Sequence, residues 1–249
     1  MGRGVGVLLL FVVTIGIILV VPRTSGALAE SDFFRVEEIR LEGHRYLDQE
    51  EVERMLGVGP ASSVWDDLDV LSSRLRRHAL VEDAQLRRRL PGTLVVQVDE
   101  RTPVALLATP ALVPVDRDGR VLPIDPAQHR LDLPLLEPYR DPWEEGVELT
   151  PRQTRILARE AAHLAEADPG FLAGVSELAV DPRGDVLIRL ADPRVTLRYR
   201  PPAATARLRQ ALRVLEDALE RDRQRTPATV DLRYRDQVVV RFPSSNGAR

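Results

Sequence analysis

Asp66, Asp67 and Asp69 lie within one turn's length of each other, and carboxylates so close together can serve as general acid and base. They stand just before an apolar-periodic stretch, where acids supply an N-cap and complement the helix dipole, and that role is expected here. Asp116, Asp118 and Gly119 open like a calcium loop, but the later ligands and closing glutamate that such a loop needs are missing. A turn is expected instead. The four histidines, His44, His78, His129 and His163, fall in separate predicted elements without ligand spacing. Ser62, Ser63, Ser72, Ser73 and Ser176 lack the strand-turn-helix setting of an activated serine, and no glycine-rich phosphate loop follows a strand. Cysteine is absent, which excludes disulfides, thiolate metal sites and a thiol nucleophile. No enzyme, no metal and no cofactor are expected.

The run Arg87-Arg88-Arg89 is the densest positive charge. In a strand, Arg87 and Arg89 point one way and Arg88 the other, which makes a solvated edge or partner surface. The net charge of -3 and pI near 5.9 give no broad basic field, so nucleic acid is not an expected partner. Every basic side chain is arginine and none is lysine, read here as a coding bias.

These residues must be held by elements that begin at a membrane. Val5 to Val21 is an uncharged apolar run bracketed by Arg3 and Arg23; as a helix the stretch between those arginines spans roughly 29 Å, enough to cross a hydrocarbon core. The rival reading is a cleaved signal peptide, with Ala27-Leu28-Ala29 before Glu30 as the cut. The run exceeds the signal core of about 7 to 15 residues, and Arg23 separates it from the cut, so an anchor is preferred. Arg3 and the amino terminus, set against Arg23 followed by Glu30 and Asp32, orient the amino terminus into the cytoplasm and the rest outside. The expected order is residues 1–23 for the short terminus and transmembrane helix, 24–32 a linker, 33–101 a first domain, 102–243 a second, and 244–249 a flexible tail.

In the first domain Phe34, Val36, Ile39 and Leu41 predict a bent strand ending at Gly43. Asp48 with Glu51 predicts a capping-box helix start, with Val52, Met55 and Leu56 on one face and Gly57 as its stop. A second helix is predicted from Asp67 to His78 on Leu68, Leu71 and Leu75. Two strands then turn at Pro91-Gly92, with Leu94, Val96 and Val98 toward one face. The result is a β-α-α-β-β unit of about seventy residues, an α+β arrangement with helices on one sheet face.

The second domain reads as a mostly antiparallel β domain with two helices. VALLA, ALVPV and RVLPI predict hairpins around the Asp116 to Gly119 turn, and the proline-rich stretch 125–143, carrying Leu131, Leu133, Leu135 and Leu136, predicts an irregular crossing. Thr150-Pro151 with Gln153 starts a helix on Ile156, Leu157, Ala161 and Leu164, which Asp168-Pro169-Gly170 ends. Three strands follow, at 175–180, 185–190 and 194–199. Residues 203–223 form an amphipathic helix whose stripe, Leu208, Ala211, Leu212, Leu215, Ala218 and Leu219, is assigned to the core. TVDLRYRDQVVVRF gives two last strands turning at Arg235-Asp236.

Two segments carry a family likeness. Gly43, Arg87, Leu90-Pro91 and then Glu100-Arg101-Thr102-Pro103-Val104-Ala105 resemble the POTRA domain of the FtsQ/DivIB cell-division family and its exit, the hallmark E-R-x-P-V-A intact. Leu90 departs from the tryptophan common there, and an aliphatic residue is expected to pack. Val230-Asp231-Leu232-Arg233-Tyr234 matches the family's terminal V-D-L-R-Y. The resemblance implies a bitopic inner-membrane protein enriched at the division septum. It implies a scaffold that binds FtsB/FtsL-like bitopic division proteins and, through them, the septal peptidoglycan synthase complex. By family position the partner contact lies at Tyr234, Arg235, Gln237, Val239, Arg241 and Phe242, where an exposed edge can accept a strand. The other readings are a POTRA-bearing envelope assembly or adaptor protein unrelated to division, and a membrane-tethered hydrolase. An outer-membrane assembly factor would need lipid-facing barrel strands, and a hydrolase a convergent polar site; neither is read in this sequence.

Overall fold

A computed structural model describes residues 32–59, 61–109, 111–139, 148–202, 204–222 and 225–243. The expected membrane helix, nearly all of the linker, the segment 140–147 and the tail from residue 244 lie outside the described residues. Among the described residues no helix is long and apolar enough to cross a membrane. The chain divides into two compact units, Met1–Arg101 and Thr102–Arg249.

The first unit has the predicted order: β1 (Glu38–Glu42), α1 (Gln49–Leu56), α2 (Leu68–Leu75), β2 (Val81–Arg89) and β3 (Thr93–Glu100). The sheet runs β1-β3-β2, with β1 parallel and β2 antiparallel to the central β3. Ile39, Leu41, Ala84, Leu94, Val96 and Val98 are buried with Val52, Leu56, Leu71 and Leu75 from the helices, so one sheet face makes the core. The bent strand is shorter than read. Asp32–Phe34 is a 3-10 turn and Arg35 makes only an isolated bridge to Ser63; regular pairing starts at Glu38, after the Gly92 carbonyl accepts the N–H groups of Glu37 and Glu38.

Asp48 caps α1 through the Glu51 N–H at 2.7 Å, while the Glu51 carboxylate lies 3.3 Å from His78 Nε2. Gly57 then ends α1 at φ 64°. Asp67 accepts from the N–H groups of Asp69 and Val70, which is the capping use of the aspartate group. α2 stops short of His78, where the N–H groups of Arg77 and His78 tighten onto the Arg74 and Leu75 carbonyls, while Arg76 donates to Asp83 at 2.7 Å and to the Ala84 carbonyl at 2.9 Å. Leu90 does not pack as expected; it is 55% exposed at the β2-β3 tip.

The second unit carries β4 (Ala105–Ala108), β5 (Leu112–Val115), α3 (Pro126–His129), β6 (Leu135–Leu136), α4 (Pro151–Ala167), α5 (Pro169–Ala173), β7 (Val175–Val180), β8 (Val186–Leu190), β9 (Thr196–Tyr199), α6 (Thr205–Arg221), β10 (Thr229–Asp231) and β11 (Val239–Arg241). They form one sheet in the order β11-β10-β9-β8-β7-β6-β4-β5. The predicted meander β7-β8-β9 is antiparallel, but β4-β6, β6-β7 and β9-β10 are parallel pairs, so the sheet is mixed. The two expected long helices are joined by the short α3 and α5.

RVLPI does not form a strand: Val121 makes a single bridge to Val115, and Leu122 and Ile124 are buried without a ladder. Pro123 has no N–H to give one. The capping box at Thr150 and Gln153 is complete. Leu157, Ala161 and Leu164 from α4, and Leu208, Ala211 and Leu215 from α6, enter the same core as β7, β8 and β9.

Candidate partner-binding edge

Among the described residues β11 is the last strand of its sheet and has β10 as its one neighbour. Among them its other side has no strand to pair with, the chemical basis of strand addition. β10 and β11 pair as Thr229↔Arg241, Val230↔Val240 and Asp231↔Val239, so the connection is longer than a tight hairpin and centres on Arg235. In that connection Tyr234 is 43% exposed, and Arg235 and Gln237 are also exposed. Val239 is half-buried, as is Phe242, while Arg241 is exposed. The six residues are thus gathered on one hairpin.

Two arginines that sequence reasoning passed over hold this hairpin. Arg207, from the first turn of α6, donates to the Tyr234 carbonyl at 2.6 Å and to the Gln237 carbonyl at 3.1 Å. Arg225 lies over the Phe242 ring at 5.1 Å from its centroid, a cation-π contact. Both residues sit among other arginines in polar stretches, and nothing in their spacing sets them apart. Beneath the loop, Tyr199, Pro202, Leu208, Leu232 and Tyr234 help line a hollow of about 270 Å³.

The signature residues Asp231 and Arg233 do a different job. Arg233 grips Asp231 with two parallel bonds, Nε to Oδ1 at 2.9 Å and Nη2 to Oδ2 at 2.7 Å, and extends Nη1 to Asp185 at 2.9 Å. Arg198 bridges Asp185 at 3.1 Å and also donates to Asp181. Asp181, Asp185 and Asp231 are all buried. The Arg233 guanidinium holds the Asp231 carboxyl below its ordinary range against the opposing effect of burial. This interleaved network stitches the end of β10 to β9 and to the β7-β8 turn, fixing where the edge hairpin leaves the sheet.

That turn has a twin. Asp181 accepts from the N–H groups of Arg183 and Asp185 around Gly184, which has φ 85°. Asp116 accepts in the same way from Asp118 and Arg120 around Gly119, which has φ 76°. The Asp116 group is the turn expected, its side chain spent on main-chain N–H groups. Among the described residues no cluster of histidine and carboxylate could hold a metal ion.

The remaining signature residues also serve the fold. Gly43 has φ 78°, and a Cβ there would lie 2.5 Å from the Val98 carbonyl oxygen. The Glu100 carboxylate accepts the N–H groups of Tyr46 and Leu47 at 2.9 Å, closing the loop into α1. Arg101 N–H donates to the Leu80 carbonyl, and Pro103 is buried in the second unit. Pro91 forms the β2-β3 turn after a cis bond from Leu90. Arg87 lies on the open face of β2, whereas Arg88 crosses to the helix side and donates to the Val64 and Asp66 carbonyls.

Comparison with known proteins agrees with this architecture. Residues 34–101 match the FtsQ-type POTRA domain, and residues 105–233 match the C-terminal domain of the cell-division protein FtsQ/DivIB. The cell-division protein FtsQ of Anaeromyxobacter sp. (strain K) is 32% identical over 226 residues, covering 88% of this chain and 75% of that protein. FtsQ of Thioalkalivibrio sp. (strain K90mix) is 35% identical over 79% of this chain and 75% of its own length. FtsQ of Syntrophotalea carbinolica is 30% identical over 68% of this chain, a match spanning 61% of that protein. Fold, family-model matches and relatives agree: the chain belongs to the FtsQ/DivIB family of cell-division proteins.

Proposed function

We propose that this chain is a non-enzymatic, membrane-anchored scaffold of the division machinery, held by residues 5–21 with both folded units outside the cytoplasm. It binds an FtsB/FtsL-like bitopic protein by accepting a strand along β11, and through that partner reaches the septal peptidoglycan synthase complex. The observation that carries the reading is the terminal place of β11 in its sheet. Its connection is exposed at Tyr234, Arg235 and Gln237, so a partner strand can dock without displacing core. In this reading Tyr234 and Phe242 supply aromatic contact, and Arg235 and Arg241 meet acidic groups of the partner.

The test is binding of the full chain, in mild detergent, to the outside segments of the organism's own FtsB and FtsL. Proline is introduced singly at Val239, Val240 and Arg241, since proline on an edge strand is tolerated where its missing N–H would have faced outward. At such a position melting should stay within ~2 °C of wild type while binding falls more than tenfold, a change of about 1.4 kcal/mol or more. Tyr234→Ala should behave likewise. If every proline that leaves the fold intact also leaves binding intact, β11 is not the docking edge.

A further inference from the structure

The end of the first unit where the chain enters carries a cluster of exposed apolar side chains. Phe33 is 68% exposed, Trp65 45% and Leu90 55%. They come from three separate segments that meet there. Val64 N–H donates to the Phe34 carbonyl, Glu37 N–H donates to the Gly92 carbonyl at the β2-β3 tip, and Arg88 donates to the Val64 carbonyl. The rings of Phe33 and Phe34 stand edge-on at 5.1 Å, those of Phe34 and Trp65 at 5.8 Å, and the Arg88 guanidinium lies 5.6 Å from the Trp65 centroid. The opposite end of the sheet, where β3 hands the chain on at Glu100, is closed by polar bonds to Tyr46 and Leu47.

We propose that this aromatic end of the POTRA unit docks on the membrane surface, with Phe33, Trp65 and Leu90 seated in the headgroup layer. The proposal rests on the membrane-anchor reading of residues 5–21. Its occupant is chosen by the tether: only residues 22–32 separate the apolar run from Phe33. However it is arranged, a chain of that length reaches at most roughly 40 Å, which keeps this end beside the bilayer at high effective concentration. Tryptophan backed by arginine suits an interface that is apolar on one side and wet on the other.

Charge does not select the surface. Arg35, Arg88 and Arg89 are accompanied by Glu37, Asp66 and Asp67, so the acids offset the bases. Docking is therefore driven by apolar insertion and occurs on zwitterionic lipid, unlike the salt-sensitive attraction of a polybasic segment to anionic lipid.

The test uses the full chain with Trp143→Phe, which leaves Trp65 as its one tryptophan. It is reconstituted into phosphatidylcholine vesicles, plain or with acyl chains brominated near the headgroup. Trp65 emission should shift to the blue and lose most of its intensity in brominated vesicles alone. The loss should be reversed by Phe33→Asp with Leu90→Asp, two exposed positions where an acid leaves the core untouched. Equal emission in both vesicles, from chain that floats with them, overturns the docking and leaves the anchor standing. Quenching that survives the double aspartate variant also overturns it, because the tether alone then explains the proximity. Chain that fails to float with the vesicles overturns the anchor reading and the docking together.

Discussion

Replacing Arg233 with methionine should weaken the second unit sharply at neutral pH and much less in acid. The substitution keeps an unbranched stem of similar reach but removes the guanidinium that binds Asp231 twice and Asp185 once. Asp231 is 2% exposed and Asp185 5% exposed, so water cannot replace what is lost. Arg198 still serves Asp185, which limits the damage to the lower end of the cost of breaking a buried ion pair, about 3 kcal/mol.

The pH dependence follows from the direction of the Asp231 shift. Arg233 holds that carboxyl low, so its contribution is present above the unfolded carboxyl value of about 3.9 and is lost as pH falls through the lower folded value. Without the Arg233 side chain the opposing effect of burial is no longer offset by its two bonds, so acidification costs the variant less than the wild type. The gap between the two proteins should shrink from about 3 kcal/mol near pH 7 as pH falls below the unfolded carboxyl value of about 3.9. Urea unfolding followed by circular dichroism measures it, fitted as two transitions because the chain holds two units. A gap below about 1 kcal/mol, or one that does not change with pH, would show that the guanidinium does not compensate these carboxylates.

Gly43→Ala is the matching perturbation of the first unit. The left-handed backbone at φ 78° and the 2.5 Å approach to the Val98 carbonyl together should cost about 2 kcal/mol or more, seen as a lower urea midpoint for one transition while the Arg233-sensitive one stays put. Tyr199→Phe removes the phenol that donates to buried Glu160 at 3.0 Å, a phenol whose own ionisation is pushed far up by burial and by that carboxylate. Losing this donor should cost about 1–3 kcal/mol in the second unit at neutral pH, and a neutral result in the same melt would mean that Glu160 is satisfied by its other contacts.

Where local rules decide the structure, the sequence was readable. The caps at Asp48, Asp67 and Thr150, the glycine stop at Gly57 and the stripe Leu208, Ala211 and Leu215 appear as expected. What escaped was set by distant partners. β6 is two residues long in a proline-rich stretch and has no periodicity to find; it is a strand because β4 and β7 flank Leu135 and Leu136. α5 follows the stop signal Asp168-Pro169-Gly170: Asp168 closes α4 and then caps a new turn through Phe171 N–H. The alternation in RVLPI is real in burial and fails in pairing at Pro123. Asp181, Asp185, Arg198, Asp231 and Arg233 lie on three separate stretches, and their charges meet only after β8, β9 and β10 are laid side by side.

The same division separates side chains that hold the fold from the main chain that would bind a partner. Gly43, Glu100, Asp231 and Arg233 can be recognised from side-chain type because each performs a task that few other residues can: a left-handed bend against a carbonyl, an acceptor for two N–H groups, a planar two-bond ion pair. An edge strand offers main-chain N–H and C=O groups, and every residue but proline supplies both. On the strand-addition reading, the network at Asp231 and Arg233 sets the position of the hairpin, and the strand beyond it docks through its main chain. Substitutions at Asp231 or Arg233 should therefore weaken binding only as far as they weaken the second unit, whereas proline in β11 should separate the two.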